Sequence, residues 1–227
     1  MNKIKGFSFN SALIATILAF LSLSSFNASA IELNPAQQVI QETSDLLYGI
    51  IQKDKERLND RSYILQLVNE VIEPRVDLNK VSKLVLGKYW RKASTEQKTQ
   101  FQQEFKGLLV NTYATAFKEF GEWTVHFLPM TLDGTKKRIT VKTEIIQPSR
   151  PPIAVNYRMA INKEGQWKAY DVIIEGISMV TNYKASFART IKKRGGLDNV
   201  IKQLAEKNKR SQASSSQLAL EEAPSKS

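Results

Sequence analysis

The fold of this chain is decided by the stretch WKAYDVIIEGISMVTNYKASF, which runs from Trp167 to Phe187. Its first half sends side chains alternately to two faces, which is the pattern of a β-strand. After Glu175-Gly176, the residues Ile177, Val180, Lys184 and Phe187 recur at helical spacing. The sequence therefore predicts a strand that runs directly into a helix, with the rest of the chain packed on this junction.

Upstream of the junction, the sequence has the pattern of further strands. There are four strand candidates in all, and residues typical of turns separate them: Trp123 to Pro129, Arg138 to Ile146, Ile153 to Asn162 and Gln166 to Ile174. Their short connections predict antiparallel neighbours. The third candidate alternates most regularly, which predicts one face against the helices and the other in water.

The residues before and after the strands have helical periodicity. Capping signals at Asn34-Pro35 and at Ser94-x-x-Gln97 predict the starts of the first and the longest helix. Pro74 is expected to end a second helix and Asp77 to cap a short third one, and a last helix is predicted from Leu197 to Lys207. This order predicts an α+β domain, with amphipathic helices on one face of a curved antiparallel sheet of about four strands.

The first thirty residues have the three parts of a secretory signal peptide. Lys3 and Lys5 precede an apolar run from Ala12 to Leu23, and Ala28-Ser29-Ala30 is a cleavage site of the A-x-A type. The apolar run is shorter than the roughly 20 residues that span a bilayer. We therefore expect a cleaved signal at residues 1–30, a single domain at residues 31–208 and a disordered tail at residues 209–227.

Composition excludes several kinds of site and limits the partners. The chain has no cysteine and one histidine, His126, so thiol catalysis, thiolate metal sites and histidine-cluster metal sites are excluded. Removal of the signal leaves 31 basic and 22 acidic residues, a formal charge of +9. In an exported protein this charge favours phospholipid headgroups or acidic protein surfaces over nucleic acid, and the alternative interpretation is plain solubility.

The motifs that resemble catalytic sites are incomplete. Gly176 to Val180 begins like a nucleophile elbow but lacks its second glycine, and His126 lies inside a predicted strand. Asp171 and Glu175 are four residues apart across a strand end, a spacing that favours local hydrogen bonding over an acid and base pair. We predict no catalytic and no metal-binding residue. Five basic residues on or beside the strands form either an anion-attracting face or merely its solvated side: Arg138, Lys142, Arg158, Lys163 and Lys168.

Four segments, taken together, resemble the MlaC family of periplasmic phospholipid-binding proteins, also called the toluene-tolerance family. In chain order they are Pro74 to Asp77 with Leu86 to Trp90; Ser94 to Gln97 with Phe101, Phe105, Leu109 and Tyr113; Tyr170 to Val172 with Glu175 to Ser178; and Asn182 to Lys184 with Phe187. The resemblance runs from about Asn34 to Asn208. Lys184 stands where the family is expected to have arginine, which keeps the charge.

The resemblance implies a soluble periplasmic carrier that binds a glycerophospholipid by its acyl chains and moves it between the outer and inner membranes, which maintains outer-membrane lipid asymmetry. The implied partners are the phospholipid cargo, an inner-membrane ABC transporter complex with a lipid-binding ring subunit, an outer-membrane lipoprotein–porin complex and, transiently, the membrane surface. A monomer without enzymatic activity, cofactor or nucleic acid is expected.

Periodicity selects the residues that we expect to line the lipid cavity, because each lies on the apolar face of its predicted element. They are Phe105, Leu109, Tyr113, Phe127, Tyr157, Met159, Tyr170, Val172, Ile174 and Met179. Two alternatives remain open. A small-ligand enzyme on a similar cone-shaped α+β scaffold would have titratable side chains inside the cavity, and a structural adaptor of the envelope would have a filled core.

Overall fold

The computed structural model describes residues 32–119, 121–130 and 135–221, and the predicted signal peptide lies outside them. These residues form an α+β fold with an antiparallel sheet whose five strands lie in chain order. The strands are β1 Thr124–Phe127, β2 Arg138–Ile146, β3 Ile153–Ile161, β4 Trp167–Ile174 and β5 Ile177–Ser178. The predicted fold class is confirmed, and β1 to β4 are the four predicted strands.

The helices of the described residues precede and follow this sheet. They are α1 Pro35–Lys53, α2 Arg61–Leu67, α3 Leu78–Leu86, α4 Lys88–Lys92, α5 Thr95–Glu119, α6 Met179–Arg194 and α7 Leu197–Glu221. The predicted cap at Asn34 and the predicted capping box at Ser94 are both present, and the structure shows that Asn34 also forms a capping box. The Asn34 side chain accepts from the backbone N–H of Gln37, whose side chain accepts from the backbone N–H of Asn34. Ser94 and Gln97 form the same reciprocal pair before α5, so donors that a helix leaves unpaired are satisfied.

The chain between α1 and α3 is less regular than the predicted second helix. A 3₁₀ turn at Lys55–Asn59 precedes α2, and a π-helical turn at Val68–Ile72 and a 3₁₀ turn at Glu73–Arg75 follow it. Pro74 has no N–H to donate, so regular helix cannot continue through it. The chain then runs beside β4, where the backbone N–H of Asp77 donates to the Ala169 carbonyl at 2.9 Å.

The junction after β4 is a tight hairpin, not the direct passage into a helix that the periodicity predicts. Glu175 and Gly176 have φ angles of 48° and 80° and connect the paired residues Ile174 and Ile177. Two residues with positive φ form the turn that matches the twist of a hairpin. Ala154 holds Glu175 in this conformation, because its backbone N–H donates to the Glu175 carboxylate at 2.6 Å. The short strand β5 therefore comes between the turn and α6.

Three clusters of buried side chains form the core. The first joins α3, α5, α6 and α7, and its aromatic rings are in edge contact: Phe101 and Phe187 have centroids 5.3 Å apart, and Phe105 and Phe187 5.6 Å. The second cluster joins α1, α2 and α5, and the third joins α1 to the inner face of the sheet. The helices thus have a packed core of their own, separate from their contact with the sheet.

Helix α7 packs closely against α5 because Gly107 has no side chain. A Cβ at Gly107 would lie 2.6 Å from Nδ2 of Asn208. The buried Asn208 amide donates to the carbonyl and to the carboxylate of Glu104, at 2.9 and 2.7 Å, and accepts from Asn111 at 2.8 Å. A small residue and a fully bonded amide therefore fix this helix crossing.

Helix α7 is longer than the sequence predicts. It continues to Glu221, whereas we expect the last helix to end near Lys207 and a disordered tail to occupy residues 209–227. Serine and glutamine have moderate helix propensities, so a helix that is already nucleated by packing can extend through them. Residues 222–227 lie outside the described residues.

Candidate functional site

A cavity of about 220 Å³, called here the first cavity, lies between α1 and the inner face of the sheet. Its walls are mostly aliphatic and aromatic. Helix α1 contributes Val39, Ile40 and Leu47, and the strands contribute Val125, Ile145, Tyr157, Met159, Ala169 and Val172. Apolar walls with few polar groups are typical of sites that bind small molecules.

A β-bulge in β4 determines which of its side chains reach the first cavity. Tyr157 pairs with Val172, but Met159 pairs with Ala169, so Tyr170 has no partner in the register. The extra residue changes the alternation, and Ala169 therefore lies on the same face as Val172. Without the bulge, Tyr170 would face the cavity, as strict alternation predicts.

A second cavity of about 210 Å³ lies between α5 and the segment that leads into α3. Leu109, Val110 and Tyr113 line it from α5, and Val68 and Leu78 line it from the opposite side. Ile72 and Val76 line both cavities, so the two spaces are separated by a single layer of side chains.

The wall between the cavities is made of irregular backbone. It comprises the π-helical turn Val68–Ile72, the 3₁₀ turn Glu73–Arg75 and Val76. Such turns have fewer well-aligned hydrogen bonds than an α-helix, and π-helical turns are frequent at functional sites. The wall is therefore less regular than the helix and strands that complete the lining.

Polar groups border the wall on both sides. At the second cavity, Lys106 Nζ lies 3.0 Å from the Glu73 carboxylate and 3.0 Å from Oδ1 of Asn69. At the first cavity, Nη1 of Arg75 donates to the Val71 carbonyl at 2.7 Å. The positive charge of Lys106 is thus compensated, whereas Arg75 makes no ion pair with any described residue.

Burial in the first cavity raises the pKa of Tyr157 to about 12. The phenol therefore keeps its proton at neutral pH and is a hydrogen-bond donor. Burial also raises the pKa of Tyr183 to about 12, with a further contribution from a hydrogen bond to Tyr113.

Five of the ten residues predicted to line a cavity do so. Tyr157, Met159 and Val172 line the first cavity, and Leu109 and Tyr113 line the second. The prediction that these residues contact lipid stays a prediction, but the structure brings them to two adjoining spaces.

The other five predicted residues are not among the residues lining either cavity. Phe105 is buried in the helical core, Phe127 packs on the cluster beneath α1, and Tyr170 lies under Lys80, whose Nζ is 4.1 Å from the ring centroid. Ile174 is exposed at the hairpin. Met179 accepts a hydrogen bond from the Tyr113 hydroxyl at 3.3 Å and is thus adjacent to the second cavity.

Several lining residues are absent from the predicted set. The helical spacing of Val39, Thr43 and Leu47 in α1 is a signal that would have identified one wall. Ile72 lies on the apolar face of the predicted second helix, so its spacing is a signal as well, whereas Val76 lies beyond Pro74, where the helical period ends.

Asp171 has a structural role at the end of β4. Its buried carboxylate accepts from Arg158 at 3.0 Å, from the Ser178 hydroxyl at 2.7 Å and from the backbone N–H of Val180 at 3.0 Å. The Ser178 hydroxyl in turn accepts from the backbone N–H of Thr181 and caps α6. These bonds join β4, β5 and α6 into one unit.

Other titratable residues considered from the sequence also lie away from the lining of the two cavities. His126 is exposed and has Nδ1 3.3 Å from the Glu144 carboxylate, and Glu175 bonds the backbone at the hairpin. In the described part of the chain, no group of three or more His, Asp or Glu side chains is arranged to hold a metal ion. Likewise, no described helix is both long and apolar enough to cross a membrane.

The five basic residues singled out in the sequence are not equivalent. Arg158 is bound to Asp171, whereas Arg138, Lys142 and Lys163 are exposed to solvent. Lys168 lies in β4 and is partly buried. They are not among the residues that line either cavity, so their charge acts at the outside of the domain.

Comparison with known proteins shows relatives of similar length. The intermembrane phospholipid transport system binding protein MlaC of Haemophilus influenzae is 28% identical over 191 residues, which cover 82% of this chain and 88% of that protein. The toluene tolerance protein ttg2D of Pseudomonas putida is 28% identical over 182 residues, which cover 79% of this chain and 84% of that protein.

A solved structure has the same fold. It is a phospholipid-binding protein from Ralstonia solanacearum in complex with a phospholipid, and it matches with a TM-score of 0.73 and 30% sequence identity over 78% of this chain and 99% of that one. The family model described as MlaC protein matches residues 41–206, which is well over half of the chain. The chain therefore belongs to the MlaC protein family.

Proposed function

We propose that this protein binds a glycerophospholipid with its acyl chains in the first and second cavities and carries it between membranes. The observation that carries the proposal is the pair of apolar cavities that meet at Ile72 and Val76. A diacyl lipid has two chains joined at one glycerol, and two apolar spaces with a common wall match this shape. The names of the relatives, a phospholipid transport binding protein and a phospholipid complex, support the same ligand class.

The energy of carrying a lipid through water explains why the chains must be enclosed. Each CH₂ group removed from water contributes about 0.8 kcal/mol, so two chains of roughly 15 methylenes would cost on the order of 25 kcal/mol if exposed. The two cavities together only reach the lower end of the roughly 300–1,000 Å³ that ligand pockets occupy. Because two acyl chains are long, we expect the cavities to widen on loading, with the movement at the irregular wall Val68–Val76.

The cellular part of the proposal follows the signal peptide and the family. The protein acts in the periplasm as a soluble monomer and maintains the lipid asymmetry of the outer membrane. It receives or delivers lipid at an inner-membrane ABC transporter complex with a lipid-binding ring subunit and at an outer-membrane lipoprotein–porin complex, with transient contact at the membrane surface. The basic outer residues favour acidic docking surfaces through long-range attraction.

A binding protein accounts for the structure better than either alternative. An enzyme on this scaffold would place an acid or base that is free to react in the cavity, but Asp171, His126 and Glu175 are engaged elsewhere. The one carboxylate that lines either cavity in the described residues, Glu73, is bound to Lys106. A structural adaptor would have a filled core, but the space between α1 and the sheet is open. We therefore propose phospholipid as cargo, without catalytic residue, cofactor or metal.

The proposal is tested by native mass spectrometry of the full-length precursor expressed with its own signal peptide in a Gram-negative host. The expected result is a mature protein with bound phospholipid, which denaturation releases for identification. A folded protein that carries no phospholipid, and that takes up none from vesicles of phosphatidylglycerol and phosphatidylethanolamine, would refute the proposal.

A further inference from the structure

Arg75 holds an unusual position between the two cavities. Among the described residues that line the first cavity, it alone carries a charge. It belongs to the 3₁₀ turn Glu73–Arg75, between Ile72 and Val76, which line both cavities. A diacyl lipid with one chain in each cavity has its glycerol at this common wall, so Arg75 is next to the expected position of the headgroup.

The guanidinium of Arg75 has donors available. Nη1 donates to the Val71 carbonyl, and no carboxylate of the described residues forms an ion pair with it. The neighbouring Glu73 is bound to Lys106 instead. A planar guanidinium offers two parallel N–H groups that match two oxygens of a phosphate, and partial burial strengthens such bonds.

The part of the first cavity that adjoins a surface groove is less suitable for an anion. Ser44, Trp123 and Val125 line both the cavity and an adjoining surface groove of about 580 Å³. Two carboxylates, Asp45 and Glu122, also line this groove. They would repel a phosphate, so the distribution of charge favours the Arg75 end for the headgroup.

Tyr157 is the second polar group that is available to a ligand. It lines the first cavity, and its hydroxyl makes no hydrogen bond with any described residue. The side chain is half-buried, and its raised pKa keeps the hydroxyl a donor. The ester carbonyl of an acyl chain is the acceptor that a diacyl lipid brings into an apolar cavity.

We propose that Arg75 binds the phosphodiester of the lipid and that Tyr157 donates a hydrogen bond to an ester carbonyl. The proposal rests on the proposed function and adds to it the two groups that recognise the polar part of the cargo. Recognition of the phosphodiester selects phospholipids over neutral diacyl lipids, and recognition of the ester does not distinguish the two.

The two roles are separated by two ligands that share the same acyl chains. Binding of a fluorescent phosphatidylglycerol and of the matching diacylglycerol is measured with delipidated full-length mature protein. Arg75→Gln is expected to weaken phosphatidylglycerol binding about tenfold or more and to leave diacylglycerol binding unchanged, because only the first ligand has a phosphodiester. Tyr157→Phe is expected to weaken both ligands by the same factor, roughly threefold to tenfold.

Matched variants control for charge and for folding. Arg91→Gln removes one positive charge from an exposed position on α4 and is expected to change neither affinity. Arg75→Lys keeps the charge but loses the planar pair of donors, so it should bind phosphatidylglycerol with an intermediate affinity. Inorganic phosphate alone is expected not to compete, because it brings no acyl chains.

The outcomes distinguish this proposal from the proposed function. Equal affinity of wild type and Arg75→Gln for phosphatidylglycerol would overturn the role of Arg75, and so would an equal loss for both lipids. Competition by inorganic phosphate would overturn the assignment to a lipid phosphodiester, and an unchanged Tyr157→Phe would overturn the role of the phenol. If the wild type binds neither lipid, the proposed function itself fails.

Discussion

Substitution of Gly107 by alanine is expected to destabilise the protein, although alanine is the better helix former. The added Cβ would lie 2.6 Å from Nδ2 and 3.0 Å from Cγ of Asn208, so the Asn208 side chain must move. Movement breaks up to three hydrogen bonds, two to Glu104 and one from Asn111, each contributing about 1 kcal/mol. The gain in helix propensity from glycine to alanine offsets about 1 kcal/mol of this loss.

The expected net loss is thus about 2 kcal/mol in the free energy of unfolding, or roughly 4 to 8 °C in Tm for a domain of this size. Urea denaturation followed by circular dichroism measures it. Gly49 in α1 provides the matched control, because a Cβ there has no neighbouring atom within 4 Å. Gly49→Ala should therefore stabilise the protein by up to about 1 kcal/mol.

In a variant that lacks the Asn208 side chain, the expected effect of Gly107→Ala on the free energy of unfolding has the opposite sign. In the Asn208→Ala variant the hydrogen bonds are already lost and the Cβ of residue 107 has space, so Gly107→Ala should now stabilise by up to about 1 kcal/mol. The reasoning is refuted if Gly107→Ala has the same effect with and without Asn208. It is also refuted if Gly107→Ala stabilises the wild type as much as Gly49→Ala does.

Three further predictions concern the sheet. Asp171→Ala is expected to lower the free energy of unfolding by about 2 to 4 kcal/mol, because Arg158 and the start of α6 lose their acceptor. The amount of lipid bound per folded molecule, measured by mass spectrometry, should stay unchanged. A loss of lipid without a loss of stability would contradict this structural role. The pKa of Tyr157 is raised to about 12, so above pH 10 this phenol ionises in the unfolded state before it does in the folded state, and the free energy of unfolding falls from about pH 10 to 12. Tyr157→Phe should make this decrease with pH shallower in urea titrations. An equally steep decrease with pH would exclude the raised pKa. Ala169→Phe should fill the first cavity and reduce bound phospholipid severalfold. Thr140→Phe, at an exposed position of β2, should leave the lipid content unchanged. Equal lipid content in the two variants would count against the first cavity as a binding site.

Local sequence patterns predict the elements well where one physical preference dominates. The helix caps at Asn34 and Ser94 are present as predicted, because a side-chain oxygen and the unpaired N–H groups of the first turn lie within a few residues of each other. The strand candidates are likewise found close to their predicted bounds, since alternation and flanking turn residues are both local.

Side-chain periodicity does not predict the irregular parts of the backbone. The bulge at Tyr170 changes the face of Ala169, and the hairpin at Glu175 separates β4 from α6. Both depend on partners that are distant in sequence, namely the register with β3 and the bond from Ala154. A period counted along one strand contains no information on a residue that the neighbouring strand leaves unpaired.

The stretch from Trp167 to Phe187 shows which features the sequence determines and which the tertiary structure determines. Its sequence alone determines that a strand gives way to a helix after Glu175-Gly176, because side-chain periodicity is a local property. The hairpin and β5 between them depend on pairing with β4 and on the bond from Ala154. Hydrophobicity also determines which residues avoid water, but not whether they meet other side chains or an open space. Phe105 and Leu109 are one helical turn apart on α5, and only the elements packed against them place the first in a filled core and the second in a cavity.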